Sequence, residues 1–419
     1  MLKIRGNKVL NGVIEVKGSK NAALALIVCS ILTKGKITLE NVPNILDVNI
    51  LLNILKYLNV KIEFNNNLLN IDSAEITYKS LIIDDCNKIR ASSYLMGAFL
   101  SLFNKVEITN PGGCNFSERP IDFHLEGFKT FGAEVREDNN FLFIESNNVK
   151  NGYYYIPNVS VGTTIDLLLF FSLKECTFIL DNVALECEVE EVIKFLTLVG
   201  VEIKRIKEKT LLIKGKKCLI DNIKYKVMND RIEAGSFAIL GACIGDDLKI
   251  KGFNMYDNLY LLNIFLKLKI PFKLEDDILT ISRFTDFEGI KLNTNPYPLF
   301  PTDLQPLMCV LLSLGKSESL IEENIYPKRM SHLNELNKLG FNLSFNNNTI
   351  IVNNIKKLNK NRVVGYDLRG SFSLLIALLL IDDFSYLDGV KYLDRGYENL
   401  VVRLKEIGAL IYEEKNNIN

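Results

Sequence analysis

The sequence is short of the residues that build metal frameworks. It has only two histidines, His124 and His332, and its eight cysteines form no Cys-x-x-Cys pair. That scarcity argues against a zinc framework, and no metal or organic cofactor is expected. Excess charge is also missing, because 50 basic residues balance 50 acidic ones. A chain-wide field for nucleic acid or an anionic membrane is thereby excluded, and only a local basic site is left open. No apolar run approaches the ~20 residues of a bilayer span. The longest, such as 22–29 and 374–381, read as buried helices. The N-terminus leads into no apolar signal region, so a cytoplasmic protein is expected. There is no Gly-x-Gly-x-x-Gly or Walker-type phosphate loop, and no Pro- or Gly-rich linker marks a domain boundary.

What is present is apolar and repetitive. With 419 residues, 48% of them hydrophobic, the chain can bury two or three cores. Cys29, Cys243 and Cys309 lie inside apolar runs and read as reduced core residues. Six stretches share one pattern of amphipathic helix, turn and short strand: 46–62, 122–135, 189–203, 258–272, 330–343 and 398–411. Their turn residues, Asn59, Gly132, Gly200, Lys269, Gly340 and Gly408, recur every 68–73 residues. An apolar helix precedes each stretch, beginning near Asn21, Ser92, Thr163, Ala234, Asp303 and Ser371. These helices are apolar nearly all round, so they should be buried. Each is followed by a short strand, as at 36–39, 177–180 and 248–251. Asn-rich turns at 65–67 and 346–348 read as hairpins. Six such units imply an α/β fold, grouped as two lobes of three. The polar stretch 228–231 is the best boundary.

Polar residues gather where each buried helix starts. They include Ser19-Lys20-Asn21, Arg90-Ala91-Ser92, Ser160-Val161-Gly162, Asn229-Asp230-Arg231, Pro301-Thr302-Asp303 and Asp367-Leu368-Arg369. Ordinary N-capping explains the Ser, Thr and Asp residues. It does not explain Lys20, Arg90 and Arg369, because the helix dipole disfavours a cation there. Anionic ligands at the exposed N–H groups would supply a reason. Cys114 lies beyond Pro111-Gly112-Gly113, outside any apolar periodicity and near Arg119 and His124. A thiol beside cations can act as nucleophile or proton donor, while a passive loop cysteine is the plainer alternative. Asp303 reads as a helix cap or, if partly desolvated, a general base. Arg395 alone reads as a surface ion-pair partner.

Taken together these motifs resemble the enolpyruvyl transferases. The likeness runs nearly full length and rests on Lys20-Asn21-Ala22-Ala23-Leu24, Arg90-Ala91-Ser92, Pro111-Gly112-Gly113-Cys114, Arg119-Pro120-Ile121-Asp122-Phe123-His124, Asp230-Arg231-Ile232-Glu233-Ala234-Gly235, Phe300-Pro301-Thr302-Asp303, Asp367-Leu368-Arg369 and Asp394-Arg395-Gly396-Tyr397-Glu398. The resemblance implies two inside-out α/β barrel lobes, each of three βαβαββ repeats. One would hold 1–19 with 229–419 and the other 20–228 with the Cys114 loop, and the active site would lie in the cleft between them. The implied reaction moves the enolpyruvyl group of phosphoenolpyruvate to the 3-hydroxyl of UDP-N-acetylglucosamine, the first committed step of peptidoglycan synthesis. Cys114 would donate the proton and form an adduct, Asp303 would act as base, and Lys20, Arg90, Arg119, Arg369 and Arg395 would hold phosphoenolpyruvate. Asn21, Pro120, Asp122, His124, Ser160, Val161, Gly162 and Ile325 would join Arg90, Arg119 and Asp303 in meeting the sugar nucleotide. The related 3-phosphoshikimate transferase and a catalytically silent paralogue are the competing readings. Tyr94, Leu185, Cys187 and Lys328 depart from the usual pattern.

Overall fold

The structure, a computed structural model, describes residues 1–6, 8–112, 121–138 and 140–414. Their contacts divide into two units, 1–17 with 229 onward and 18–228. The first boundary falls at Lys17/Gly18 rather than after residue 19, because Ser19 already belongs to the second unit. There its N–H bonds the Met228 carbonyl at 2.7 Å, and its side chain caps the helix Lys20–Ile31.

Each unit holds three buried helices wrapped by sheets. In unit 18–228 they are Lys20–Ile31, Tyr94–Phe103 and Val161–Phe171, and in the other Arg231–Ile244, Gln305–Leu312 and Leu368–Leu379. Every residue of Arg231–Ile244 is buried, as the all-round apolar pattern predicts. Burying a large aliphatic or aromatic side chain is worth roughly 1.5–3 kcal/mol, so these helices hold each core. Helices Tyr94–Phe103 and Val161–Phe171 approach closely at Gly97, where a Cβ would lie 2.0 Å from the Asp166 carbonyl oxygen. Gly97→Ala would force the two apart.

The outer sheets show the repeat directly. Strand Gly152–Tyr155 pairs parallel with Thr177–Asp181, which pairs antiparallel with Thr210–Lys214, itself antiparallel to Glu202–Lys207. Lys291–Asn293, Ser319–Glu322, Thr349–Asn353 and Asn342–Asn346 repeat that order. All six expected turn residues have positive φ, from 57° at Lys269 to 112° at Gly200. Each ends a surface helix by reversing its backbone hand, and glycine, free of a Cβ, fills four of the six places. Asn66, Asn67, Asn347 and Asn348 are likewise left-handed, forming the two expected hairpins.

Two features depart from a uniform repeat. The sheet of the second repeat has three described strands, Lys105–Thr109, Glu134–Asp138 and Phe141–Glu145. Leu81 forms a single parallel bridge to Ile108, and the helix Asp84–Lys88 follows at once, leaving no length for a strand. The other departure is long-range pairing. Strand Ile223–Lys226 runs parallel to Lys36–Glu40, and Val13–Glu15 parallel to Leu248–Lys251. Strand Leu2–Arg5 inserts between Phe384–Asp388 and Leu410–Glu413.

Candidate active site

The candidate residues fall into two groups, described unit by unit. In unit 18–228 the plain capping reading holds at two helices. Ser19 Oγ accepts from the Ala22 N–H at 3.3 Å, and Ser160 Oγ from the Thr163 N–H at 3.2 Å. Lys20 at the first helix start is bridged to the buried Asp47 carboxylate at 2.8 Å. Its neighbour Asn21 is exposed. Arg90 opens the 3-10 turn Arg90–Ser93 and donates to the Pro111 carbonyl at 3.1 Å, which ties this helix start to the base of the segment that follows. Asp122 and His124 lie in the first turn of the helix Asp122–Thr130.

His124 is nearly buried, with Nδ1 2.8 Å from Asp166 Oδ2. Asp166 Oδ1 accepts the Gly97 N–H at 2.7 Å, so the carboxylate is held from both sides. Burial pushes the Asp166 carboxyl up, and the bonds to His124 and Gly97 pull against that shift. The other imidazole nitrogen, Nε2, faces Gly162, where a Cβ would stand only 3.2 Å away. Val161 and Gly162 form the first turn of the third buried helix, so His124, Ser160, Val161 and Gly162 come together. Cys114, Arg119 and Pro120 lie outside the described residues.

In the other unit Asp303 is the centre. Arg329 Nη1 donates to Asp303 Oδ1 at 2.8 Å, and Arg369 Nε lies 3.5 Å from Oδ2. Both guanidiniums are buried, whereas a quarter of the Asp303 side chain stays open (26%). Arg369 also donates to the Tyr397 hydroxyl at 2.9 Å, which lies 2.8 Å from Ser236 Oγ. The Tyr397 ring stacks on Phe372 with centroids 4.5 Å apart. Arg329 further donates to the Thr302 carbonyl at 3.0 Å. The fully buried Glu323 accepts from Thr302 Oγ1, Thr294 Oγ1 and the Ile325 and Tyr326 N–H groups. Ile325 is thus fixed through its backbone beside the Asp303 segment. Arg395 ends the 3-10 helix Val390–Arg395 and is partly buried.

Two helix starts here are capped by aspartates. Asp230 Oδ1 accepts from the Ile232 and Glu233 N–H groups, and Asp367 Oδ1 from those of Arg369 and Gly370. Arg369, expected to need an anion at its helix start, has a protein carboxylate beside it, as Lys20 does. Among the described residues no cluster of His, Cys, Asp or Glu could hold a metal ion, and no helix is long and apolar enough to cross a membrane.

The sequence reading missed the partners that fix these groups. Asp166 interrupts an apolar run, Thr163 to Phe171, which is a readable sign of a buried polar contact. Tyr397 lies in the motif 394–398, which by itself assigns it no role. Arg329 carried no local signal, because its use depends on a fold that brings residue 329 to 303.

The chain is similar to known proteins over nearly its full length. A sequence profile described as EPSP synthase (3-phosphoshikimate 1-carboxyvinyltransferase) matches residues 4–404. UDP-N-acetylglucosamine 1-carboxyvinyltransferase 2 of Listeria monocytogenes is 35% identical over 98% of this chain and 97% of its own length. UDP-N-acetylglucosamine 1-carboxyvinyltransferase of Clostridium botulinum is also 35% identical, over 98% of this chain and 99% of its own. Among solved structures, the enolpyruvyl transferase NikO of Streptomyces tendae superposes with a TM-score of 0.90 at 19% identity, covering 98% of each chain. An EPSP synthase of Acinetobacter baumannii gives 0.76 at 15% identity, covering 98% of this chain and 99% of its own. At those identities the structures establish the fold.

Proposed function

This chain belongs to the enolpyruvyl transferase family, and on that premise we propose that it transfers the enolpyruvyl group of phosphoenolpyruvate to the 3-hydroxyl of UDP-N-acetylglucosamine. The sugar oxygen bonds to C2 of phosphoenolpyruvate while C3 gains a proton. The C2–O bond to phosphate then breaks as C3 loses a proton, and inorganic phosphate leaves. The observation that carries this reading is the nearly full-length likeness to relatives named for that sugar nucleotide. The geometry of Asp303 supports it chemically. A partly open carboxylate, held in place by two buried guanidiniums, is a group that can take the proton of a hydroxyl brought against it.

In this reading Cys114 supplies the proton to C3 and forms the covalent adduct. Lys20, Arg90, Arg119, Arg369 and Arg395 hold the phosphate and carboxylate of phosphoenolpyruvate, where preorganised cations stabilise developing charge. Asn21, Pro120, Asp122, His124, Ser160, Val161, Gly162 and Ile325 meet the sugar nucleotide. The peptidoglycan pathway follows from the product.

The deciding assay is phosphate release from phosphoenolpyruvate, with UDP-N-acetylglucosamine and separately with shikimate 3-phosphate. Release with the sugar nucleotide alone is expected. Release with shikimate 3-phosphate instead would move the chain to the other transferase, and binding of the sugar nucleotide without release would make it a silent paralogue. Asp303→Asn should lower kcat by roughly 100-fold or more while leaving KM for the sugar nucleotide within a few-fold. Equal loss in both would assign Asp303 to binding.

A further inference from the structure

Three helices of unit 18–228 meet at one carboxylate to which the proposed chemistry gives no part. Asp166 lies in the second turn of the helix Val161–Phe171 and is fully buried. Its Oδ1 accepts the Gly97 N–H of the helix Tyr94–Phe103 at 2.7 Å. Its Oδ2 lies 2.8 Å from Nδ1 of His124, in the first turn of the helix Asp122–Thr130. The approach depends on glycine, because a Cβ on residue 97 would stand 2.5 Å from Oδ1. A carboxylate can accept at both oxygens, whereas asparagine accepts at one end and donates at the other. Ordinary pKa values of about 6.5 for an imidazole and about 3.9 for a carboxyl give the shared proton to the ring. Burial pushes the Asp166 carboxyl up, but the bonds to His124 and Gly97 and the charge of Arg90 favour its ionised form.

We infer that Asp166 is a positioning residue for the sugar nucleotide: it keeps a proton on Nδ1 of His124 and leaves Nε2 as the nitrogen that meets the nucleotide at the start of the helix Val161–Phe171. The contacts lie in that order. Asp166 occupies Nδ1, and Nε2 on the far side of the ring would stand 3.2 Å from a Cβ on Gly162. Gly162 belongs to the first turn, where the leading N–H groups find no carbonyl within the helix. Asp166 follows Gly162 by four residues, so one face of the helix carries both the carboxylate that orients the ring and the helix start that the ring lies against. With the proton fixed on Nδ1, Nε2 of the neutral ring accepts a hydrogen bond. The opposite tautomer would make it a donor, and a ligand matched to one is mismatched to the other.

This inference rests on the reading that His124 meets the sugar nucleotide, and its first test needs no ligand. The whole ¹⁵N-labelled chain has two imidazoles, and a His332→Gln variant leaves only the signals of His124. A proton on Nδ1 is expected, in the neutral or the charged ring. Asp166→Asn conserves size and can still accept the Gly97 N–H. Its amide must then donate to Nδ1, so the ring proton should move to Nε2. A parent ring with its proton on Nε2 alone, or an Asp166→Asn ring that keeps it on Nδ1, would overturn the inference.

The second test separates binding from turnover. Asp166→Asn should weaken sugar-nucleotide binding roughly tenfold in a calorimetric titration and keep kcat at saturation within about threefold. In a His124→Gln background the same change should move Kd by less than about twofold, because a residue that acts through His124 has nothing left to act on. A tenfold loss in both backgrounds, or a loss in neither, would refute the role. If His124→Gln does not fold, the Asp166→Asn spectrum still decides. A parent chain that binds no sugar nucleotide would overturn the functional reading instead, and leave the tautomer to be judged by the spectra.

Discussion

Arg403 and Glu233 form a buried ion pair whose removal gives a sharp prediction. Both residues lie almost out of solvent, at 8% and 2% exposure. Arg403 Nη1 donates to Glu233 Oε1 and to the Glu398 carbonyl, and Nη2 donates to the Glu15 carbonyl at 2.6 Å. Glu233 Oε2 accepts the Lys17 N–H at 2.9 Å. The pair thus fastens the segment 13–17 to the helix Arg231–Ile244. Burial pushes the Glu233 carboxyl up, and the charge of Arg403, its hydrogen bond and the Lys17 N–H offset that only in part. Arg403→Met removes the cation and leaves a buried carboxylate with one N–H. The expected cost is about 3–5 kcal/mol of unfolding free energy at pH 8. The orphaned carboxyl then has a folded pKa raised well above its unfolded value. The folded state binds more protons, so the variant gains stability as pH falls, by up to ~1.4 kcal/mol per pH unit. Urea titrations followed by circular dichroism at pH 5 and pH 8 should show the deficit shrinking at the lower pH. Adding Glu233→Gln should recover a large part of it. A cost below about 1 kcal/mol, or one that does not change with pH, would refute the argument.

Other outcomes follow from the same structure. His332 is lowered in the fold from its ordinary 6.5 to about 4, so the unfolded chain takes the proton first. Stability should therefore be full above pH 6.5 and fall by on the order of 3 kcal/mol as pH drops towards 4, and His332→Gln should remove that part of the slope in parallel urea titrations. Fosfomycin is expected to add covalently at Cys114 and at no other cysteine. Burial pushes the thiols of Cys86 and Cys309 up to about 12 and those of Cys29 and Cys243 up as well, so they are poor nucleophiles. Peptide mapping that finds the adduct on the exposed Cys218 instead would sink the assignment. Gly162→Ala should weaken sugar-nucleotide binding severalfold in a calorimetric titration, because the new methyl meets His124 Nε2; unchanged binding would separate that histidine from the nucleotide.

Much of the architecture was legible because it is written locally. A surface helix that ends in a left-handed residue every 68–73 positions leaves a trace in Asn59, Gly132, Gly200, Lys269, Gly340 and Gly408. Apolar runs such as 22–31 announce burial on every face. Pairings such as 223–226 with 36–40 leave no local trace, since nothing in either stretch points to a partner so far along the chain. The same division holds at the site. Asp303 and Arg369 stood out because they sit at helix starts, whereas Arg329 gained meaning only when the fold set it against Asp303. The expected anion beside Lys20 and Arg369 met protein carboxylates, Asp47 and Asp303, which shows that a cation at a helix start can be balanced from within the chain.

The insertion of strand 2–5 between 384–388 and 410–413 has a consequence for synthesis on the ribosome. Residues 2–5 are made some 380 residues or more before the strands they pair with. Unit 18–228 closes its own sheets, since its strand 223–226 returns to 36–40, so it can fold while translation continues. Residues 2–5 must meanwhile wait beside a finished neighbour, with both strand edges unpaired and open to wrong pairing. A pause in elongation after residue 228 would lengthen that wait, and a bulky tag ahead of Met1 would burden the last step of assembly rather than the first.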